Sequence, residues 1–208
     1  MLKTFFSLSY VDLKKNSQHY KLSLLGFIVL GLIDAIPWEG MNYLENSGPE
    51  ILSQVVIFLL SIIVSVDVIN TQKTLLTEMP KEKLLFTAPA FLIYSLYFTI
   101  CVLLGLVLFI LPGVLALVFL TLAPFVAVLL NEESPMKASI RLTKKNPLLV
   151  AGMAIILLAI ELFPALFNFL PRWEVKFFLE LLFIFPMALL SLIFIQTMVR
   201  VTLFLEKL

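Results

Sequence analysis

Four carboxylic acids stand inside or at the edges of otherwise apolar stretches: Asp34, Asp67, Glu161 and Glu180. A carboxylate in hydrocarbon is expensive, so residues of this kind are candidates for binding a cation or relaying a proton. Asp34, Glu161 and Glu180 fall within about 10 Å of the same end of their stretches, counting 1.5 Å per residue. Two readings are open for them. They can snorkel or pair with Arg172 and Lys176, Lys176 and Glu180 being a local i, i+4 pair. Or they form an acidic cluster lining a cavity open to that side. Asp67 lies near the opposite end, with Thr71 and Thr74 on its helical face. Gln196 and Arg200 share a face at that level of the last stretch, so an Asp67–Arg200 ion pair is expected to cap the bundle there.

Other chemistry is thinly supplied. The chain has no HExxH, GxSxG or P-loop pattern and no cluster of histidines; His19 stands alone in a polar approach and reads as solvated. The single cysteine, Cys101, sits in an apolar run without a CxxC, which supports neither redox chemistry nor zinc. A hydrolase needs a nucleophile and a base within hydrogen-bond reach. Only Glu161 and Glu180 offer an acid pair, so no enzymatic activity, catalytic residue, metal or cofactor is expected.

The elements that carry these residues are membrane spans. Hydrophobic residues make up 61% of the 208 and charged ones 14%, and the mean hydropathy is +1.06. An ordinary soluble domain is close to half apolar. A run of about 20 apolar residues crosses the hydrocarbon as a helix. Six such runs are read: 22–37, 51–69, 84–111, 114–130, 148–167 and 175–205. The last exceeds the core thickness and must tilt or protrude. The fold class is therefore all-α: one integral membrane domain, residues 1–208, of six transmembrane helices.

Threading the six runs puts thirteen of the fifteen Lys and Arg residues on one side. They cluster at Lys3–Lys21, Lys73–Lys83, Lys137–Lys145 and Arg200–Lys207; only Arg172 and Lys176 fall on the other. The positive-inside rule then places both termini in the cytoplasm. Trp38, Tyr43 and Trp173 fall where interfacial aromatics belong, and the loop from Trp38 to Glu45 is acidic. The first apolar run starts at Leu22 and ends without an A-x-A pattern, so no signal peptide is expected.

Three outward runs end at a proline: Pro37, Pro112 and Pro164. The first and last carry an acid three residues earlier and follow similar entries, Leu13-Lys-Lys-Asn16 and Leu142-Thr-Lys-Lys-Asn146. This suggests three helical hairpins from a parallel repeat, against the plainer reading that proline ends apolar helices anyway. Cys101 and Gly105, and Ser61 and Ser65, are small residues four apart that mark close helix packing. Pro89, Pro124 and Pro186 lie within runs and free backbone carbonyls there.

Two cytoplasmic segments are expected to lie along the membrane as amphipathic helices. In 1–21, Leu2, Phe6, Tyr10 and Leu13 recur at helical spacing among lysines. In 132–146, Met136 and Ile140 share one face and Lys137, Arg141 and Lys144 another, with Ser134 as N-cap and Pro135 in the first turn. Lys137, Arg141, Lys144 and Lys145 are candidate contacts for anionic headgroups.

The stretch Leu111-Pro-Gly-Val-Leu-Ala-Leu-Val-Phe-Leu-Thr-Leu-Ala-Pro124, and Pro135-Met-Lys-Ala-Ser-Ile-Arg-Leu-Thr-Lys-Lys-Asn146 with the run after it, resemble the YciC-type family of bacterial inner-membrane proteins. More distantly they are similar to the membrane region fused to some glycerophosphodiester phosphodiesterases. The marks are Pro112, Gly113, Ala123, Pro124, Ala138, Ser139, Arg141, Leu142 and Thr143, and the likeness covers about Leu111–Glu161. It implies six helices and an inner-membrane location, and brings no activity, substrate or catalytic residue. The phosphodiesterase reaction is not carried over, since nothing here corresponds to its catalytic domain.

The function expected is that of a non-enzymatic accessory or membrane-homeostasis component, binding membrane lipids, anionic headgroups on the cytoplasmic face, or a partner membrane protein. Nucleic acid is not expected as a partner. The alternative is a small carrier or lipid-handling transporter whose cavity is lined by Asp34, Glu161 and Glu180.

Overall fold

A computed structural model describes residues 1–35, 48–77, 84–130, 132, 134–166 and 173–208. Regular structure among them is entirely helical: α1 (Leu2–Lys15), α2 (Ser17–Asp34), α3 (Gly48–Thr77), α4 (Leu84–Leu108), α5 (Ile110–Leu120), α6 (Ala123–Leu129), α7 (Pro135–Lys145), α8 (Pro147–Ala165) and α9 (Trp173–Lys207). Pro37, Trp38, Tyr43, Lys81, Lys83 and Arg172 lie outside the described residues, as do the side chains of Pro164, Trp173 and Lys176.

Four helices are long and apolar enough to cross a membrane: α3, α4, α5 continued by α6, and α9. The number rises to five if α7 and α8, bent by 115° at their junction, form one broken span. The chain is an all-α, multi-pass membrane protein. The expected first span differs for a local reason. Its helix, α2, starts earlier, at Ser17, and its opening turns carry Gln18, His19 and Lys21. Only Leu22–Ile33 is apolar, about 18 Å of helix against a core of about 30 Å.

Both termini sit at one end, here called the near end. Phe5 of α1 meets Phe204 of α9 edge to face with ring centroids 5.3 Å apart. α9 runs through the middle, touching α1, α2, α3, α6, α7 and α8. The buried core gathers round its near-end half: Val66 and Ile69 of α3, Leu122 and Val126 beside and in α6, and Leu192 and Met198 of α9. By contrast, only 17% of the most apolar window of α4 is buried, so α4 faces lipid.

The α4–α5 hairpin turns on one residue, Phe109, with φ −159° and ψ 136°. The turn therefore comes before Pro112, which does not end the outward helix but stands in the first turn of α5, where its missing N–H costs nothing. Close approach demands glycine on both sides. A Cβ on Gly105 would lie 2.7 Å from Gly113 Cα, and one on Gly113 would lie 2.5 Å from the Leu106 backbone nitrogen. Gly105 is thus a packing residue, as its spacing from Cys101 suggests. Ser61 instead bonds back to its own helix, Oγ donating to Phe58 O at 2.7 Å.

Between α5 and α6 the helix breaks at Thr121–Leu122. Pro124 stands at the start of α6, and the Thr121 hydroxyl donates to Leu117 O at 2.5 Å. Pro89 and Pro186 lie inside α4 and α9 without ending them.

Both amphipathic segments are helices, but their inner faces are rotated from those expected. In α1, Tyr10 is exposed; Ser9 and Leu13 are buried, with Leu2, Phe5 and Phe6 packed against the core. Ser9 wins the inner position because its hydroxyl meets Thr197 Oγ1 at 3.0 Å. In α7, Met136 and Ile140 are half-buried, and the inner face is Ala138, Ser139, Leu142 and Thr143. Ser134 stands at the N-cap with Pro135 after it, though its hydroxyl makes no cap hydrogen bond.

Replacing Gly113 by alanine is expected to destabilise the folded protein more than replacing Gly26. At Gly113 the new carbon meets backbone; at Gly26 it meets a Val64 methyl at 2.7 Å, which can rotate away. Overpacking of the first kind costs about 1–3 kcal/mol. Thermal unfolding of both variants in the same detergent checks the order.

Candidate functional site

Two places bring polar side chains together, one at each end of the bundle. At the near end they tie helices to one another. Arg200 of α9 pairs with Asp12 of α1. Asp12 Oδ2 also accepts from Gln72 Nε2 of α3 at 3.2 Å, and Gln72 Oε1 accepts from the Tyr20 hydroxyl of α2. Four helices thus share one chain of polar contacts. Asn70 Nδ2 donates to Thr87 Oγ1 at 3.1 Å, joining α3 to α4. Lys73, only 6% exposed, donates to Val128 O of α6 at 3.4 Å.

This corrects the expected cap. The carboxylate that Arg200 meets is Asp12, not Asp67. Asp67 lies deeper along α3 and accepts from Ser23 Oγ of α2 at 2.7 Å. Asp12 prevails because α1 lies across the near end and brings its carboxylate to the turn of α9 where Arg200 emerges. Gln196, one turn deeper, is fully buried. Its amide lies against the Tyr20 hydroxyl, but neither amide atom completes a hydrogen bond among the described residues.

At the far end the three other acids converge. Asp34 of α2, Glu161 of α8 and Glu180 of α9 line one cavity of about 240 Å³, with Phe27, Met187 and Ser191 among its other walls. Asp34 and Glu161 are exposed and Glu180 is half-buried. Counting 1.5 Å per residue, Glu180 stands about 24 Å above Gln196 and Asp34 about 21 Å above Tyr20. Phe163 and Phe183 stack edge to face at 5.3 Å beside it, holding α8 against α9. Below Ser191, α9 presents Leu192, Ile195, Met198 and Val199, all buried. Buried polar groups stand among them: Gln196 and Thr197 of α9, and the Ser23–Asp67 hydrogen bond between α2 and α3.

A third feature is the outer face of α7. Lys137, Arg141, Lys144 and Lys145 all point away from the inner face and are exposed. Two of them also bind the protein. Arg141 Nη2 meets Glu132 Oε1 at 2.5 Å and Glu206 Oε2 at 3.7 Å, and the Glu132 hydrogen bond raises the Arg141 guanidinium above its ordinary pKa. Lys145 Nζ donates to Leu205 O at 2.8 Å, capping the end of α9. Lys137 and Lys144 carry the remaining positive charge on this face. On the inner face, Ser139 Oγ donates to Phe119 O of α5 at 2.7 Å.

Pro112, Gly113, Pro124, Ala138, Ser139, Leu142 and Thr143, on which the family resemblance rests, are thus turn and packing residues here. His19 is exposed. Tyr20, Gln72, Asn70, Lys73 and Asp12 were not singled out by the sequence. The available signal was the polar run Asn70-Thr-Gln-Lys73 ending a long apolar helix, in phase with Gln196 and Arg200 on another.

Neither a protein-family model, nor a curated protein, nor a solved structure matches this chain.

Arg200→Asp is expected to lower stability by about 3 kcal/mol, the cost of leaving a partly buried charge unpaired. Adding Asp12→Arg should recover much of that loss; adding Asp67→Arg should not. Unfolding midpoints of the three variants decide between the two partners.

Proposed function

We propose that this chain is a non-enzymatic accessory or homeostasis component of a bacterial inner membrane. In this reading it has six spans in three hairpins, both termini in the cytoplasm, and binds anionic lipid on that face through α7. It also offers its lipid-facing flanks to partner helices. The observation that carries the reading is the division of α7 into two faces. Ala138, Ser139, Leu142 and Thr143 lock it to α5, α6 and α9, while its basic residues stand outward. A helix so held presents fixed positive charge at headgroup height, where each basic residue contributes about 1 kcal/mol of attraction to anionic lipid. Lys3, Lys14 and Lys15 of α1 are exposed at the same end, and the positive-inside rule would make it the cytoplasmic one. α2 and α8, which pack alongside α9, are the helices that would complete the six. The relation to the YciC-type family rests on the motif residues that build the α5–α7 packing.

Lys137→Gln with Lys144→Gln should weaken retention of phosphatidylglycerol about tenfold or more, at about 1 kcal/mol for each charge, without changing the unfolding midpoint. Arg141→Gln should lower both, since Arg141 also holds Glu132 and Glu206. Native mass spectrometry of the purified protein with graded phosphatidylglycerol reads the retention. Undiminished retention in the double variant would sink the lipid-binding role.

A second reading is favoured by the convergence of Asp34, Glu161 and Glu180 on one cavity: a small carrier or lipid-handling transporter that holds a cation or proton there. The close packing below Ser191, where Leu192, Ile195, Met198 and Val199 are buried with Gln196 and Thr197 among them, weighs against it, because a carrier needs an open polar path to its site from both sides. The triple variant Asp34→Asn, Glu161→Gln, Glu180→Gln separates the readings. A carrier would lose a specific bound ligand seen in the same spectra; the accessory component would keep its lipid profile.

A further inference from the structure

The turn between α4 and α5 is unlike a loop that emerges into water. From Ile100 to Leu120 the chain has no side chain that can hydrogen-bond strongly; Cys101 is the nearest to polar. Its tip is almost bare of protein contacts. Val107, Phe109 and Ile110 are 82%, 74% and 75% exposed, and Leu108 and Leu111 are close behind. Five consecutive large apolar side chains at an aqueous turn would be a severe liability.

Two backbone hydrogen bonds close across the turn. Phe109 N–H donates to Gly105 O at 3.0 Å, and Gly113 N–H donates to Phe109 O at 3.5 Å. Pro112 has no N–H to satisfy. Unpaired peptide groups are costly in hydrocarbon; these two bonds and Pro112 reduce their number, and the groups left open are those of the two helix ends beside Phe109. The glycine pair supplies the geometry: Gly105 against Gly113 lets the two backbones touch, so the reversal needs no longer loop.

The reach of the hairpin agrees. Thr87, tied to Asn70 in the near-end polar layer, marks the base of α4. The span from Thr87 to Leu108 is 22 residues, about 33 Å. An average tilt of about 20° reduces this to about 31 Å, close to the thickness of the hydrocarbon core. From Arg200, in the same polar layer, α9 climbs about 40 Å to Trp173. α9 extends about 10 Å beyond the core, whereas the hairpin ends about where the core ends.

We infer that the α4–α5 turn does not surface in water. The tip Leu106–Leu111 lies in the lipid acyl chains of the leaflet opposite the termini and is a lipid-contacting surface in its own right. The inference needs only that the chain crosses a membrane; it does not depend on lipid binding by α7.

Nitroxide labels test it. Cysteines are introduced singly as Val107→Cys, Phe109→Cys and Ile110→Cys in a Cys101→Ser background, with Lys207→Cys as the aqueous reference. The full chain is reconstituted in phosphatidylethanolamine–phosphatidylglycerol vesicles. Power-saturation spectra are recorded with oxygen, which concentrates in hydrocarbon, and with a neutral nickel chelate, which stays in water. The three tip positions are exposed, so each label leaves the packing intact and each repeats the reading. The expected result is a ratio of oxygen to nickel collisions several-fold higher at all three tip positions than at position 207. Nickel collisions at the tip equal to those at position 207 would show a turn in water and overturn the inference. Low collision rates with both reagents would show a protein partner covering the tip, and would overturn it equally.

Discussion

The Asp12 carboxylate joins three helices. It belongs to α1, takes the Arg200 guanidinium from α9 and accepts the Gln72 amide from α3, which is held in turn by Tyr20 of α2. On a soluble surface a pair of this kind would contribute little. In a membrane the balance differs. Apolar helix faces gain little by exchanging lipid for one another, so polar contacts and close backbone packing select which helices pair. Here the polar contacts are concentrated at one end. Asn70–Thr87, Lys73–Val128, Ser139–Phe119 and Lys145–Leu205 add α4, α6, α5 and α7 to the same layer. The bundle is stitched at the end that holds both termini, and the helices rise from that layer toward a less polar, more open far end.

The amino-acid pattern reveals the class of this fold directly, because apolar runs of span length have few alternative meanings. It also places the three far-end acids at one depth, and all three line one cavity. Depth is readable from position along a helix; rotation is not. That is why the inner faces of α1 and α7 are turned relative to expectation: Ser9 displaces Tyr10 because a hydroxyl partner, Thr197, waits across the interface, and no pattern within α1 records that partner. The same blindness assigned Arg200 to Asp67. Both acids lie at a plausible level, but the amphipathic pattern of α1 predicts a helix lying along the membrane and carries no sign that α1 closes the near end of the bundle and brings Asp12 with it. The Phe109 turn was hidden for another reason. Proline is a strong stop signal, and the physical stop here is the backbone contact of Gly105 with Gly113, which involves residues on both sides of the turn.

The two ends have different capacities. The near end combines a buried core with a polar layer that holds Arg200, Asp12 and Lys73, and further charge lies outside that layer on α1 and α7. An arrangement of this kind holds charge in place without opening an interior route. The far end has the cavity and its carboxylates, but between cavity and polar layer α9 is closely packed, burying Leu192, Ile195, Met198 and Val199 together with Gln196 and Thr197. A change of occupancy at the acids can reach the near end only by moving packed helices, and the stitched layer resists that. This geometry is the physical ground for preferring a lipid-facing accessory role to transport.

Vertical position in the membrane follows from the same distribution of groups. The near-end layer contains Arg200, Asp12 and Lys73, none of which can move far into hydrocarbon without losing water or partner. α7 adds outward lysines beside that layer. The hairpin tip contains only apolar side chains and cannot move out into water without exposing them. These two constraints act about 31 Å apart along the tilted hairpin, near the thickness of a bilayer core, and they oppose displacement in opposite directions. Neither the long α9, which can slide through a core thinner than itself, nor α2, whose apolar stretch is short, restricts depth so closely. On the inference drawn above, the α4–α5 hairpin, joined to the polar layer by Thr87 at its base, is the element that sets the register of the molecule in the bilayer, and on the lipid-binding reading proposed above α1 and α7 keep its base at the headgroups.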